Sequence, residues 1–145
     1  MPIEIVTEVT QDLVDTMGRL LPQLSRSAPP LSAEDLQQIL DQDGVYLFLH
    51  RDAETGTPLG VLTLVTFQIP TGNRAWVEDV VVDQAARGRG VGRELVEASL
   101  NKARELGCRT VDLTSRPSRE AANRLYQAVG FELRETNVYR YTWAD

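Results

Sequence analysis

The stretch Val80-Val81-Val82-Asp83-Gln84-Ala85-Ala86-Arg87-Gly88-Arg89-Gly90-Val91-Gly92-Arg93 passes from an apolar, β-prone segment through a glycine-rich bend into a helix. The helix is read from Val91, Leu95, Val96, Leu100, Ala103 and Leu106, which recur at helical spacing until Gly107 stops them. Backbone amides at a helix start have no partners inside the helix, and the macrodipole makes that end positive. Gly88, Gly90 and Gly92 let the main chain adopt conformations that a β-carbon forbids and approach a ligand closely. The bend therefore reads as a cradle for phosphate or pyrophosphate, with Arg87, Arg89 and Arg93 as added positive charge. It is not the nucleotide P-loop, because no Gly-Lys-Ser/Thr follows, and its glycines run G-x-G-x-G rather than G-x-G-x-x-G.

Outward from this bend, the chain divides into short elements. Ile3, Ile5 and Val9 lie in a β-prone run, and Thr10 caps a helix whose apolar positions are Leu13, Val14, Met17, Leu20, Leu21 and Leu24. Ser25 to Pro30 is a loop, and Ser32-Ala33-Glu34-Asp35 has the pattern of a capping box before a helix marked by Leu36, Ile39 and Leu40. Strands are predicted at Val45–His50, Leu59–Ile69 and Arg74–Val82, with turns at Asp52–Thr57 and at Pro70-Thr71-Gly72-Asn73. After the glycine bend and its helix come a strand at Arg109–Ser115 and a helix from a Ser118 cap to Val129, stopped by Gly130. Phe131–Glu135 and Val138–Trp143 are predicted as two closing strands. The order is β-α-α-β-β-β-α-β-α-β-β, an α/β protein with a mixed, mostly antiparallel sheet of about seven strands and about four helices.

The 145 residues fit one domain, 1–145, with 42% hydrophobic and 25% charged residues, the composition of a globular chain able to bury a core. Fifteen bases against 21 acids give a net charge of −6, which argues against nucleic acid as a bulk electrostatic partner. Residues 1–58 hold ten acids and three bases, whereas residues 59–145 hold eleven acids and twelve bases. Thus the first part favours a cation and the second tolerates an anion. Lone Cys108 cannot close an internal disulfide, and with a single His, His50, the chain offers no ligand set for zinc. Cys108 is expected to pack, and His50 to serve a surface or capping role at a strand end. No apolar run reaches the roughly 18 residues of a membrane span. The start, Met1-Pro2-Ile3-Glu4, has no secretory pattern, so a cytoplasmic, metal-free protein is the expectation.

Arg87-x-x-Gly90-x-Gly92 after the valine run, followed by a helix, a strand and Asn123-Arg124-Leu125-Tyr126-Gln127-Ala128-Val129-Gly130-Phe131, resembles the GNAT superfamily of acyl-CoA N-acetyltransferases. The first element looks like that family's Q/R-x-x-G-x-G/A pyrophosphate motif, and the second like its Asn…Tyr…Gly-Phe block. The order of elements matches over almost the whole chain. Glu78-Asp79 ahead of the valines is similar to small amino-sugar acetyltransferases of the superfamily.

The resemblance implies a GNAT fold, an enzyme, and acetyl-CoA as co-substrate. It implies that the amides from Arg87 through Gly88, Arg89, Gly90, Val91 and Gly92 to Arg93 hold the pyrophosphate. It further implies that Val80, Val81 and Val82 pair by main chain with the pantetheine arm, while Asn123 bonds that arm. An amide of Val81 or Val82 would polarise the thioester carbonyl, a contact worth about 3 kcal/mol of barrier. An alkylammonium with a pKa near 10 costs about 4 kcal/mol to deprotonate at pH 7. The base would be Glu78, with Asp79 second, or a water relay. As strand neighbours these two acids are expected on opposite faces. Tyr126 would protonate the departing thiolate.

The acceptor pocket is expected at Leu24–Leu31 and Gln68–Asn73, by likeness to the family, and a homodimer is expected on the same ground. Alternating Tyr139, Tyr141 and Trp143 are read as covering a partner subunit or completing the sheet. The leading function is acetyl transfer to a primary amine of a small molecule, an amino sugar or other cationic amine, by direct attack in a ternary complex. Acetylation of a protein N-terminus or lysine, and a non-catalytic CoA-binding regulatory module, are the alternatives.

Overall fold

Three long antiparallel strands carry the centre of the fold in the computed structural model, which describes residues 2–144. They are β2 (Val45–Arg51), β3 (Pro58–Ile69) and β4 (Gly72–Val82), flanked by β1 (Ile3–Ile5) and β5 (Thr110–Asp112) in the order β1-β2-β3-β4-β5. All neighbours are antiparallel except β4 and β5, which run parallel. The helices are α1 (Gln11–Leu24), α2 (Ala33–Leu40), α3 (Val91–Glu105) and α4 (Glu120–Val129). Among the described residues no helix is long and apolar enough to cross a membrane.

Alternation along the strands builds two cores, one on each face of the sheet. Leu47 and Leu49 of β2 meet Leu13, Met17 and Leu20 of α1 and Leu36 of α2. Phe48 between them points the other way, toward Val91, Leu95 and Val96 of α3 and Tyr126 of α4. The predicted caps start the first two helices. Thr10 accepts from the Leu13 amide at 3.1 Å, and Ser32 and Asp35 exchange bonds of 3.0 and 2.9 Å as a capping box. The predicted Ser118 cap is not used; Arg119 holds that position without a side-chain bond, so α4 begins one residue later.

Two expectations about strands are corrected. The strand predicted at Arg109–Ser115 shortens to Thr110–Asp112, because β4 offers a ladder only from Arg74 to Trp76. The strands predicted at Phe131–Glu135 and Val138–Trp143 do not form; among the described residues the sheet has five strands, not seven. A β-prone sequence becomes a strand only where another edge accepts its hydrogen bonds. Here Gly130, at φ +122°, turns the chain out after α4, and residues 132–144 meet no such edge.

Gly60 of β3 fixes how closely α3 approaches the sheet. A Cβ there would lie 2.9 Å from the Val81 carbonyl oxygen, 3.0 Å from Val91 Cγ1 and 3.1 Å from Leu95 Cδ1. Gly60→Ala is expected to destabilise the fold by about 1–3 kcal/mol through overpacking. Urea unfolding with an unchanged m-value and a lower midpoint is the check.

Candidate active site

Strand β4 loses its ladder partner on one side halfway along. It pairs with β5 only through Arg74, Ala75 and Trp76, while its pairing with β3 continues to Val82. From Val77 to Val82 the edge toward β5 has no strand partner, so its main-chain polar groups are available to an extended ligand. The same segment carries a bulge. Val61 pairs with Val81 and Thr63 with Glu78, so Leu62 alone faces Asp79 and Val80. Asp79 absorbs the extra residue at φ +48°, the only described non-glycine residue at positive φ. Aspartate tolerates this region better than most residues, yet the conformation costs about 1 kcal/mol.

The bulge resets the pleat. Ala75 and Val77 pack toward α3, and Val80 and Val82 lie on that same side, whereas Val81 packs into the core with α1. A regular strand would have put Val81 with Val77. Glu78 and Asp79 are both exposed, so the strict alternation expected for them is broken at the bulge.

β4 then delivers the chain to the predicted anion cradle. A single 3₁₀ turn, Gln84–Ala86, is capped by Asp83, whose carboxylate accepts from the Ala85 amide at 3.1 Å. Gly88 and Gly90 stand at φ +81° and +79°, and Gly90 is the N-cap of α3 without any side-chain bond. A Cβ on either would touch nothing, so backbone conformation rather than space calls for glycine. Gly92 differs, because a Cβ there would press Leu125 Cδ2 at 3.2 Å. The amides of Val91, Gly92 and Arg93 donate to no backbone acceptor among the described residues, and all three lie at the positive end of a 15-residue helix.

Three side-chain ties hold the cradle. Arg19 of α1 pairs with Asp83 and donates to the Pro58 carbonyl at 2.9 Å, and Gln23 Oε1 accepts from the Gln84 amide at 3.0 Å. Arg89 pairs with Asp52 of the β2–β3 turn at 2.7 Å. His50 supplies the third. It is 6% exposed, not the surface residue expected, because β2 continues to Arg51 and sets His50 between Ile3 and Gly60. Its Nε2 lies 2.6 Å from Glu94 Oε2, in the first turn of α3. Nothing in the sequence pattern joins these residues, which are 44 positions apart.

Of the three cradle arginines, Arg89 and Arg93 are engaged, Arg93 with Glu97 at 3.3 Å, and only Arg87 has no side-chain partner among the described residues. Several acids of the first 58 residues are engaged as well: Glu4 and Asp12 on Arg51, Asp35 in its cap, Asp52 on Arg89. Their charge is therefore spent locally rather than directed at a ligand.

Tyr126 is buried, 9% exposed, with its ring edge-on to Phe131 at 5.9 Å. Burial pushes its pKa up against a smaller opposing pull from Arg119, so the phenol keeps its proton through neutral pH. Its hydroxyl makes no hydrogen bond within the described residues. Asn123, one turn earlier, is half-buried and donates to the Arg116 carbonyl at 2.9 Å, which leaves its carbonyl oxygen able to accept. Cys108 is half-buried against the α3 core, and burial raises its thiol pKa, which suits packing rather than nucleophilic work. Among the described residues no three His, Cys, Asp or Glu side chains gather as metal ligands.

The acetyltransferase (GNAT) family model matches residues 9–131, most of the chain and all of this site. The chain is 33% identical to glucosamine 6-phosphate N-acetyltransferase of Trypanosoma brucei brucei, over 77% of this chain and 78% of that protein. It is 37% identical to glucosamine 6-phosphate N-acetyltransferase 1 of Oryza sativa subsp. japonica, over 68% of this chain and 64% of that protein. A crystal structure of a Trypanosoma brucei acetyltransferase superimposes with a TM-score of 0.77 at 26% identity, over 97% of this chain and 98% of the other.

The Asp52–Arg89 tie can be read directly. Arg89, with the Glu54 and Thr55 amides, holds the Asp52 carboxyl down at about 2. A depressed carboxylate pKa contributes stability above the unfolded value of 3.8 and loses it as pH falls toward 2. NMR titration should place the Asp52 inflection near 2 in the native chain, and upward of that in Arg89→Ala.

Proposed function

The chain belongs to the acetyltransferase (GNAT) family and is an N-acetyltransferase; we propose that it moves the acetyl group of acetyl-CoA to the primary amine of a small amino sugar of the glucosamine 6-phosphate type. The observation that carries this reading is a succession along the chain. The unpartnered edge of β4 from Val77 to Val82 is followed, after the Gln84–Ala86 turn and the glycine bend, by the unpaired amides of Val91, Gly92 and Arg93. An extended carrier with an amide-bearing arm and a pyrophosphate needs those two features in that order. The sugar class rests on the printed activity of the two relatives.

Acetyl-CoA brings the acetyl group as a thioester, and this chain's residues do the rest. The amides from Arg87 to Arg93, Gly88, Arg89, Gly90, Val91 and Gly92 among them, hold the pyrophosphate, with Arg87 as the side-chain cation still without a partner. Val80, Val81 and Val82 bind the arm by main chain, so their side chains remain free to pack the core. A β4 amide, of Val81 or Val82, donates toward the thioester oxygen and favours the charge that develops as the amine attacks. Asn123 accepts from the arm through the oxygen left over from its bond to Arg116. Glu78, with Asp79 as second choice, takes the ammonium proton directly or through water; both residues are exposed. Tyr126 gives its proton to the departing sulfur. The bulge serves the whole arrangement by setting the acids beside the valines without extending the ladder.

Two measurements test this reading. Thiol release from acetyl-CoA should be fastest with glucosamine 6-phosphate in a panel of amino sugars, polyamines, aminoglycosides and peptides; equal rates across the panel would remove the sugar assignment. Tyr126→Phe should lower kcat by about 10²–10³-fold and abolish the alkaline limb of the pH–rate profile. An unaltered profile would take the acid role from Tyr126.

A further inference from the structure

Along β4 and β5, one set of side chains faces away from α3. Ala75 and Val77 of β4 and Val111 of β5 pack toward α3. The pleat therefore turns Arg74, Trp76 and Glu78, with Thr110 and Asp112 beside them, to the other side. Glu78 still belongs to this set, because the bulge comes after it. Its partner Thr63 sits between Leu62 and Leu64, which both pack toward α3. The aromatic middle of this face is unclaimed. Trp76 lies beside Val65 of β3 and diagonal to Phe67; all three are half-buried, and none belongs to either core.

A pair of cations stands at the start of β4. A cavity of about 200 Å³ is lined by Thr71, Arg74, Arg109 and Thr110. Arg109 is fixed there: its amide donates to the Asn73 carbonyl at 2.8 Å and its Nη1 to the Thr71 carbonyl at 3.0 Å. Gly72 makes room for it, because a Cβ at that position would lie 2.8 Å from Arg109 Cδ. Arg74 Nη2 reaches Thr71 Oγ1 only at 3.4 Å, a long contact that an anion displaces at little cost. Arg19, Arg51, Arg89 and Arg93 each meet a carboxylate, whereas neither Arg74 nor Arg109 meets one among the described residues. Two guanidinium groups lining one cavity repel each other, and an anion between them turns that cost into attraction. Two forked cations with two hydroxyls beside them suit the several acceptor oxygens of a phosphoryl group.

We propose that Arg74 and Arg109 hold the phosphate of the acetyl acceptor, with Trp76 under its ring and Glu78 at its amine. Given that this chain acetylates an amino sugar phosphate, on which this assignment rests, these residues tell that acceptor from the same sugar without phosphate. Neither arginine belongs to the acceptor stretches expected from family likeness, Leu24–Leu31 and Gln68–Asn73. Arg74 and Glu78 stand four positions apart, about 13 Å along the strand. A hexosamine phosphorylated at C6 carries amine and phosphate at opposite ends, and the reach of a glutamate from one side and an arginine from the other closes the remaining distance. Trp76, halfway between, offers an apolar surface to the C–H face of the sugar. Asp112, in register beside Trp76, accepts from its hydroxyls. The cation pair lies at the opposite end of β4 from the glycine bend, so the anions of carrier and acceptor do not compete for one site.

The experiment measures kcat/KM on the full chain with glucosamine 6-phosphate and with glucosamine, at saturating acetyl-CoA. The ratio of the two should stand well above one. Arg74→Gln and Arg109→Gln should each lower that ratio by about 10–100-fold, through KM rather than kcat, and Arg74→Lys should restore part of it. Because Arg109 also braces the β3–β4 turn, circular dichroism checks that its variant folds. Inorganic phosphate, which needs no variant, should compete with glucosamine 6-phosphate in the unsubstituted chain. Three results overturn the inference and leave acetylation of an amino sugar standing: a ratio near one in the unsubstituted chain, a ratio that Arg74→Gln leaves unmoved, or phosphate that fails to compete with glucosamine 6-phosphate. No turnover of glucosamine 6-phosphate removes the amino sugar phosphate as acceptor, and the inference with it.

Discussion

Strand β4 needs one edge occupied and the other bare. On its β3 side the ladder runs from Gly72 to Val82 and holds the strand rigid; on its β5 side the ladder stops at Trp76. The binding edge proposed for the acetyl carrier depends on that asymmetry. A fully paired β4 would have no main-chain groups to offer, and an unpaired one would be a loop without a fixed direction. The short reach of β5 thus leaves an open stretch of edge on an interior strand of the sheet.

Around that edge the chain spends its polar interactions on holding the glycine bend in place. α1 reaches it through Arg19 and Gln23, the β2–β3 turn through Asp52, and β2 through His50 against Glu94. These contacts come from three separate elements. The bend itself can then remain rich in glycine and keep its amides unpaired, since rigidity is supplied from outside. Burial of apolar surface on both sheet faces provides the stability against which the strained Asp79 and the unsatisfied helix start are maintained.

Much of this is legible in the residues alone. The valine run, the glycine bend and the helix after it are readable because local conformational rules act over a few residues: alternation for β4, 3.6-residue periodicity for α3, a hydroxyl at the caps of α1 and α2. The Tyr126 block is legible through its likeness to a family. Other features are hidden. No local rule announces that Asp79 takes positive φ, and so the face on which each valine lies is unreadable. Arg89 looks like a phosphate ligand because its partner Asp52, 37 positions away, is not recognisable from spacing, whereas the pairing of Arg93 with Glu97 is the i,i+4 kind that helical spacing announces. His50 looks terminal because nothing local foretells one more residue of strand.

The sequence by itself determined the kinds and order of elements from β1 through α4 and the glycine bend with its unpaired amides, since these follow from side-chain chemistry and short-range backbone preference. Tertiary structure alone decided which edges are paired. It stopped the β4–β5 ladder at Trp76, turned β4 about its bulge, buried His50 and left the aromatic C-terminal arm without a partner in its own chain. The physical reason is that a hydrogen-bonded edge is a property of two segments at once. Each segment carries its own propensity, but whether its N–H and C=O groups find a ladder depends on what the rest of the fold brings alongside.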